Sequence, residues 1–341
     1  MTSPADLASC PTDPDFADEV EPQSPKAPAH DGPPVHPPGH QLAPGYEVIE
    51  HVRRGADLDC YEAWSAQRYC RCFIKTLRPD CATDRSAHRH LRREARLLLS
   101  LSHPHLVRGY EYLRSEVGRP PLLVLENLTG ATLGYILDSG SQRLGAADLG
   151  HLGQHLCSAL RYLHSRGYLH LDIKPSNIIA NHGVARLIDL SLARPPGRCH
   201  SGIGTPGYMS PEQVSGGNLG PAVDVWGLGL VLYEAATGIQ PFDIPHRSAS
   251  ADSHTSTLSR CELRLARPAL KIRARRRLPA DVAEVIDACL HRDPGQRPTL
   301  DRLAAALATL TAAPATPSGD SISTNGNGSA APETAIYPPM R

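Results

Sequence analysis

The sequence predicts an α+β fold in which a strand-rich first part is followed by a longer helical part. Three apolar, alternating stretches near the beginning, 46–52, 61–64 and 71–75, contain the β-branched and aromatic residues typical of strands. Further along, leucines recur every three or four residues from Leu149 to Leu163, which predicts one buried helix face. This change of period along the chain separates the two parts.

The composition is that of an ordinary globular protein. The 341 residues include 35 Lys and Arg and 35 Asp and Glu, so net charge favours neither nucleic acid nor a membrane surface as a partner. The longest apolar run, 225–236, is shorter than the ~18 residues that a membrane span needs. The nine cysteines lack the paired CxxC spacing of a metal site, and reduced thiols in a cytoplasmic protein explain them most simply.

Composition also divides the chain. Residues 1–43 are rich in Pro, Ala and acidic side chains, and residues 314–341 are rich in Ser, Thr, Asn, Gly and Pro. Neither segment carries enough apolar residues to offset the entropy of ordering it, so both are expected to be disordered tails. The tails could recruit partner proteins, although a linker role is preferred because no recognition motif is evident. Residues 44–313 are expected to form one domain.

The elements between the strands and the leucine-rich helix follow from the same patterns. The strand at 71–75 ends in Lys75, and an amphipathic helix is predicted at 91–99. The apolar run 122–128 predicts a buried strand, and a short apolar run at 185–188 predicts another, immediately before Asp189. Polar residues at the ends of these elements are therefore candidates for a functional site.

One short segment, 170–177, concentrates polar groups whose types suit phosphoryl transfer. Asp172 is followed by Lys174 and Asn177, and Asp189 adds a carboxylate at a strand end. An Asp can accept a proton from a hydroxyl, a Lys can neutralise a transferring phosphoryl group, and Asn and Asp can hold a metal ion. Phosphoryl transfer needs such a set because its catalysis is mostly positioning and charge neutralisation. A chance cluster of loop residues is the alternative.

This segment resembles the catalytic loop of the eukaryotic-type (Hanks-type) serine/threonine protein kinases. Three later stretches resemble further motifs of that family, in the right order: the end of the activation segment, the start of the central helix of the large lobe, and a late motif, at 204–212, 224–229 and 291–298. In the family an Arg of the late motif pairs with a Glu of the activation segment, which here implies a pair between Arg297 and Glu212.

The resemblance implies a two-lobed protein kinase-like fold. A small β-rich N-lobe would occupy residues 44–128, and a larger helical C-lobe would occupy residues 129–313. The character of segments such as 187–194 favours a bacterial member of the family.

The resemblance also assigns residues to a nucleotide site. Lys75 would hold the α- and β-phosphates of ATP, and Glu94 would pair with that Lys; a solvated Lys and an exposed helix carboxylate are the alternatives. The backbones of Glu126 and Leu128 would bond the adenine edge. The other residues expected to line the site are Val52, Gly55, Cys60 and Ile179.

The chemistry would then be that of the family. Asn177 and Asp189 would hold Mg²⁺, with Mn²⁺ as a possible substitute, and Lys174 would meet the charge that develops on the γ-phosphate. Asp172 would orient a Ser or Thr hydroxyl of a protein substrate and accept its proton.

Several positions depart from the family pattern. The loop 53–58 keeps only Gly55, where the family has three glycines whose amides approach the phosphates. Phe73 stands where a small residue usually lies over the adenine. Leu171 replaces an Arg that ordinarily meets a phosphate on the activation segment, so activity should depend little on such phosphorylation.

Three functions remain open from the sequence. An active serine/threonine kinase is favoured because every chemically acting residue is present. A pseudokinase scaffold with weak or no ATP turnover is the alternative, because of the altered loop and Phe73. A kinase of small molecules is disfavoured by the peptide platform that segment 204–212 implies. The basic residues Arg273, Arg275, Arg276 and Arg277 could dock acidic substrates, although a solvated surface is the preferred interpretation.

Overall fold

The computed structural model describes residues 32–116, 118–141, 143–242 and 257–312. Most of the two predicted tails therefore lies outside the described residues. Within them, the predicted α+β, two-lobed architecture is confirmed: a β-sheet lobe comes first and a mainly helical lobe follows. Among the described residues there is no helix with the length and hydropathy that crossing a membrane requires.

The small lobe is built on a six-stranded antiparallel sheet with the strand order β1-β2-β3-β4-β6-β5. Because side chains alternate along strands, the sheet has two apolar faces. Val48, Tyr61 and Ile74 pack in a cluster on one face, while Leu77 and Leu123 join the main core on the other. The strands are β1 (Gln41–Ala43), β2 (Tyr46–Arg54), β3 (Leu58–Ser65), β4 (Cys70–Leu77), β5 (Gly109–Leu113) and β6 (Leu122–Glu126).

Helix α1 (Arg85–Ser100) packs on the sheet and supplies buried leucines to the main core. It begins at Asp84, whose carboxylate accepts the backbone N–H groups of Ser86 and Ala87 and so satisfies two donors of the first turn. Leu91 and Leu98 are buried, as the amphipathic pattern requires, and Glu94 on the same helix is buried with them. The helix therefore carries a carboxylate into the interior of the protein.

The folded domain begins before residue 44. Strand β1 pairs with β2, and Leu42 and Ala43 are buried in the core of the small lobe. Upstream of β1, the Gly39 N–H donates to the Val48 carbonyl at 2.9 Å. The boundary predicted at residue 44 is therefore too late, because the few apolar residues of this stretch stand among prolines and glycines that dominate its composition.

The large lobe surrounds helix α5 (Ala222–Thr237), in which every residue from Val223 to Tyr233 is buried. Its glycines allow close packing: a Cβ on Gly227 would lie 2.9 Å from Ile173 Cβ, and one on Gly229 would lie 2.4 Å from Cys289 Cβ. The other helices are α2 (Leu133–Ile136), α3 (Ala146–Ser165), α4 (Pro211–Ser215), α6 (Thr257–Leu265), α7 (Ala280–Cys289) and α8 (Leu300–Ala308).

Two small sheets position the functional segments of the large lobe. Strands β7 (Ala131–Thr132), β8 (Ile178–Asn181) and β9 (Val184–Leu187) form one sheet, and β10 (Gly197–Cys199) pairs with β11 (Gly217–Leu219) in the other. The β8–β9 hairpin begins directly after the segment 170–177 and ends directly before Ile188 and Asp189. The predicted strand at 185–188 is thus confirmed to within a residue.

Candidate active site

The polar groups of segment 170–177 converge on the carboxylate of Asp172. Lys174 Nζ donates to Asp172 Oδ2 at 2.7 Å, and Asn177 Nδ2 donates to the same oxygen at 3.0 Å. Thr205 Oγ1, from the activation segment, donates to Asp172 Oδ1 at 2.6 Å and accepts from Lys174 Nζ at 2.6 Å. The Asp172 side chain is therefore fixed on both oxygens, and a hydroxyl group already lies against it.

This segment is held from below by the buried Asp224 of α5. Its carboxylate accepts the backbone N–H groups of His170 and Leu171, each at 2.8 Å, and lies 2.8 Å from His164 Nε2. Leu171 has φ 67°, a left-handed conformation that costs a residue with a Cβ free energy, so these hydrogen bonds stabilise a strained backbone. Burial acts to raise the pKa of Asp224, but hydrogen bonds from His164 and the His170 N–H lower it below its usual value.

The two predicted metal ligands lie at the same end of the β8–β9 hairpin. Ile178 pairs with Leu187, and the Ile188 N–H donates to the Asn177 carbonyl at 2.9 Å. These contacts place Asn177, before β8, and Asp189, after β9, at the same end of the hairpin. Asn177 uses its side-chain NH₂ group on Asp172, which leaves the amide oxygen for a cation.

An amide oxygen and a carboxylate suit Mg²⁺, which commonly binds through one or two carboxylates plus substrate phosphates. Within the described residues, no group of three or more His, Cys, Asp and Glu side chains could hold a metal ion. An ion bound by Asn177 and Asp189 would therefore complete its shell with nucleotide or water oxygens. The donor set fits the metal that the sequence predicted.

Lys75 joins the two lobes through a pair of carboxylates. Its Nζ donates to Glu94 Oε1 at 2.7 Å and to Asp189 Oδ1 at 3.1 Å. Lys75 is 8% exposed and Glu94 is 1% exposed, so neither is the solvated charge that was the alternative interpretation. Strand β4, helix α1 and the segment after β9 each contribute one member of this triad.

The electrostatics of the triad keep Lys75 and Asp189 charged. Burial alone would lower the pKa of Lys75, but the nearby carboxylates of Asp189 and Glu94 raise it above its usual value. Burial acts in the opposite direction on Asp189, yet Lys75 holds the pKa of that carboxyl well below its usual range. Burial raises the pKa of Glu94 against the pull of Lys75, because Glu94 is the more enclosed of the two acids and Asp189 repels its charge. Lys75 is thus held by two carboxylates, the nearer of which is Glu94.

The residues expected around the nucleotide are distributed over both lobes. Val52 and Gly55 lie on β2 and at its end, and Cys60 lies on β3 directly opposite Lys75 of β4. Val52 is 50% exposed, which leaves an apolar side chain free for a ligand. Ile179 lies on β8 of the large lobe and pairs with Thr132.

The predicted hinge follows β6. Glu126 ends that strand, and its N–H donates to the Arg108 carbonyl at 2.9 Å, so this N–H is already used within the protein. Its side chain accepts from the Arg108 N–H and from Arg186 Nη1. Leu128 is partly buried against the main core. Phe73 is partly buried, packs against that core and pairs with Leu125 of β6.

The loop that replaces the glycine-rich loop is braced by Arg78 at the end of β4. The Gly55 N–H donates to the Leu58 carbonyl at 2.7 Å and closes a tight turn. Arg78 Nη1 then donates to the carbonyls of Gly55 and Ala56 at 3.2 and 3.1 Å, and its Nε and Nη2 bind the carboxylate of Asp80. The guanidinium group of Arg78 therefore holds this turn in one conformation, whereas a loop with three glycines would be flexible.

A second set of contacts joins strands β2 and β3, which flank this turn. Arg54 donates to both oxygens of Asp59, at 2.8 and 2.9 Å, and to the Pro33 carbonyl at 2.8 Å. Asp59 is 1% exposed; burial acts to raise its pKa, but the hydrogen bonds from Arg54 and His51 lower it. Sequence reasoning did not identify Asp59 or Arg78. An acidic residue on an inward-facing position of an alternating strand was the available signal.

The activation segment is locked to the large lobe by the predicted ion pair. Arg297 Nη1 and Nη2 donate to Glu212 Oε1 and Oε2 at 2.5 and 2.8 Å, and the guanidinium lies 5.0 Å from the centre of the Trp226 ring. Gln213, which sequence reasoning missed, donates to the Leu171 carbonyl at 2.9 Å and to the Ile203 carbonyl at 2.7 Å. It ties the activation segment to the catalytic segment with neutral hydrogen bonds.

A model of the protein kinase domain matches residues 46–307, which is most of the chain. The chain belongs to the protein kinase family. Its members use ATP with a divalent metal ion and act on protein substrates, and the two-lobed fold described above is theirs.

Curated relatives point to the bacterial branch of the family. The serine/threonine-protein kinase PkaA of Streptomyces coelicolor is 32% identical over 249 residues, which cover 69% of this chain and 42% of PkaA. PknB of Mycobacterium leprae is 33% identical over 210 residues, covering 59% of this chain and 34% of PknB. This chain therefore spans less than half the length of these relatives. The predicted similarity to bacterial Hanks-type kinases is confirmed.

Proposed function

We propose that this protein is an ATP-dependent serine/threonine kinase that transfers the γ-phosphoryl group to Ser and Thr hydroxyls of proteins. The observation that supports this best is the fixed Asp172 carboxylate, with Lys174, Asn177 and Thr205 hydrogen-bonded around it. A phosphotransferase needs a base that positions a hydroxyl, a cation for the phosphate and a metal ligand close together. These contacts supply all three kinds of group.

In this proposal Asp172 orients the acceptor hydroxyl and takes its proton. The Thr205 hydroxyl lies 2.6 Å from Asp172 Oδ1, and this contact supports a role in which the same oxygen accepts from a substrate hydroxyl. Lys174, already 2.7 Å from Asp172 Oδ2, lies where it can neutralise charge on the transferring group. The nearby activation segment, held by Glu212 and Arg297, supplies the platform for a peptide substrate.

Asn177 and Asp189 would hold Mg²⁺, with Mn²⁺ as a substitute, and the ion would neutralise the β- and γ-phosphates of ATP. Lys75, held by Glu94, would bind the α- and β-phosphates, and this contact replaces part of its interaction with Asp189. Val52, Cys60 and Ile179 would line the adenine slot, with the backbone at Leu128 bonding its edge.

The altered nucleotide loop does not favour the scaffold alternative. The loop has its own fixed geometry through Arg78 and Arg54, and the triad of Lys75, Glu94 and Asp189 is complete. A nucleotide site needs such a group of charges for the phosphates and the metal ion, so the complete triad supports the enzyme over the scaffold.

We also propose a cytoplasmic setting. Cys72, Cys157 and Cys289 are buried free thiols in the core of the two lobes, and burial raises the pKa of each. Such thiols persist most easily in a reducing compartment.

The direct test is transfer of labelled phosphate from Mg²⁺–ATP to a library of Ser- and Thr-containing peptides. We expect phosphoserine or phosphothreonine from the wild-type protein, and at least ~10²-fold slower transfer from Asp172→Asn. Transfer that is equal in the two proteins, or nucleotide binding without any transfer, would contradict the proposal.

A further inference from the structure

A groove lined by arginines lies on the large lobe at the amino end of helix α3. Its volume is about 580 Å³, and it is lined by Arg143, Leu144 and Gly145 before α3 and by Arg275, Arg276 and Arg277 before α7. We call it the arginine groove. None of its residues belongs to the candidate active site, so the groove needs an explanation of its own.

Arg276 is built into the wall of this groove. It is half-buried, and its Nη1 donates to the carbonyls of Leu144 and Ala236 at 2.7 and 3.0 Å. Both acceptors are neutral carbonyls, so the guanidinium is fixed in place without a carboxylate partner. Burial and the neighbouring charge of Arg143 lower the pKa of Arg276.

The other arginines of the groove are exposed and lack acidic partners among the described residues. None of the four groove arginines forms an ion pair within the described residues. Asp287 of α7, the nearby acid, pairs with Lys271 instead. Asp148, in the first turn of α3, is a carboxylate at this end of the helix, but it is one negative charge against four positive charges. Two separate chain segments therefore bring uncompensated positive charge to one concave site.

The backbone adds to this potential. Helix α3 (Ala146–Ser165) begins at Gly145, which provides no side-chain cap, and the positive end of its dipole faces the same groove. Guanidinium groups bind carboxylate and phosphate oxygens through paired hydrogen bonds. A concave site with several fixed guanidinium groups therefore suits a ligand with several anionic groups along a flexible chain.

We propose that the arginine groove is a docking site for an acidic polypeptide segment, and that its occupant is the acidic segment 13–21 of this chain. A peptide fits better than a nucleic acid or a membrane, because the groove is concave, includes the apolar side chain of Leu144, and belongs to a chain of zero formal net charge. The chain carries one such segment, since residues 13–21 contain five acidic side chains, Asp13, Asp15, Asp18, Glu19 and Glu21, and no basic one. This binding is separate from the proposed phosphotransfer.

The test uses the full chain with its own acids at 13–21 changed to Asn and Gln, so that this segment does not compete, and all further variants are made in that background. A fluorescent peptide with the sequence of residues 11–22 is added, and binding is measured by fluorescence anisotropy without nucleotide. We expect Arg143→Glu/Arg275→Glu to weaken binding at least ~10-fold, as loss of paired charges at an interface does. The matched control is Arg267→Glu/Arg302→Glu, which reverses two exposed arginines outside the groove and should bind like the wild type. Asp172→Asn should also bind like the wild type, so a failure of the proposed enzyme activity would not be mistaken for a failure of docking.

Three further arms decide the ligand chemistry. A peptide with the five acids changed to Asn and Gln should lose binding, and one with phosphoserines in their place should regain it, because phosphate restores the negative charge that the guanidinium groups bind. Equal binding by groove variant and wild type, or equal weakening in groove variant and control, would overturn the proposal. Binding of the groove to anionic phospholipid vesicles but to neither charged peptide would also overturn it.

Discussion

The catalytic segment of the large lobe and the nucleotide loop of the small lobe become ordered in different ways. Around Asp172 the side chains are those of the family motif, and their hydrogen bonds involve the atoms that would touch substrate. At the nucleotide loop only Gly55 of the three family glycines is kept, and Arg78 and Arg54 hold the turn from outside. Groups that react must have particular atoms, whereas a loop that only covers a ligand can be fixed by any suitable donor.

The largest effect should come from the catalytic segment. We expect Asp172→Asn to lower kcat by ~10²–10⁴-fold, because the group that positions and deprotonates the acceptor is lost. The melting temperature should fall only modestly, since Asn can still accept from Thr205 but loses the oxygen that accepts from Lys174 and Asn177. Asp281→Asn, on the exposed side of α7, is the matched control and should leave kcat unchanged. Similar kcat values for Asp172→Asn and this control would show that the segment does not do the chemistry.

The next effect concerns stability. Arg297→Ala leaves Glu212 without its partner in a buried setting, which should cost about 3–5 kcal/mol of unfolding free energy. Arg161→Ala breaks an exposed pair with Asp301 and should cost about 0–1 kcal/mol. Denaturant titration measures both. If the two variants lost the same free energy, the pair between Arg297 and Glu212 would not hold the activation segment.

At the nucleotide loop the effect should be smaller and confined to ATP. Arg78→Ala removes two hydrogen bonds to the turn, and we expect the KM for ATP to rise roughly 5-fold, or ~1 kcal/mol, with kcat nearly unchanged. Arg71→Ala removes an exposed arginine of the same strand and is the control. A fall in kcat with unchanged KM would mean that Arg78 acts on the chemical step and that the two regions are not independent.

The smallest effect is expected from phosphatase treatment of the purified protein. Leu171 packs in an apolar cluster with Leu169, Cys199, Leu219 and Val223, so this position supplies no positive charge to a phosphate. Activity should therefore be the same before and after treatment, measured with Mg²⁺–ATP and a Ser peptide. A large loss of activity would show that a phosphate on the activation segment orders the site by contacts other than those of Leu171.

The sequence predicted the large lobe better than the small one, for a physical reason. The functional side chains of the catalytic segment are close along the chain, so roles for Asp172, Lys174 and Asn177 could be predicted from their spacing. The pairing of Lys75 with Glu94 was predicted from the family resemblance. The braces of the nucleotide loop join residues such as Arg54 with Pro33, and Arg78 with Gly55. Such contacts depend on tertiary packing, and no local sequence pattern predicts them.

The same distinction explains two other differences. Strand β1 was missed because Leu42 and Ala43 have apolar neighbours only after the sheet has formed. The arginines at 275–277 resembled an ordinary solvated run, and only the fold brings Arg143 beside them. In both cases the property that matters, burial of a strand or clustering of charge, depends on contacts with residues distant along the chain.

The central claim is that the braced loop still serves a working nucleotide site. A thermal shift measurement with and without Mg²⁺–ATP tests it most directly, with Asp189→Asn as the comparison. A ligand at a hundred times its Kd stabilises a protein by about 2.7 kcal/mol, so the wild type should melt at a visibly higher temperature with nucleotide, and Asp189→Asn should show no such rise. An unchanged melting temperature of the wild type at millimolar Mg²⁺–ATP would contradict the account.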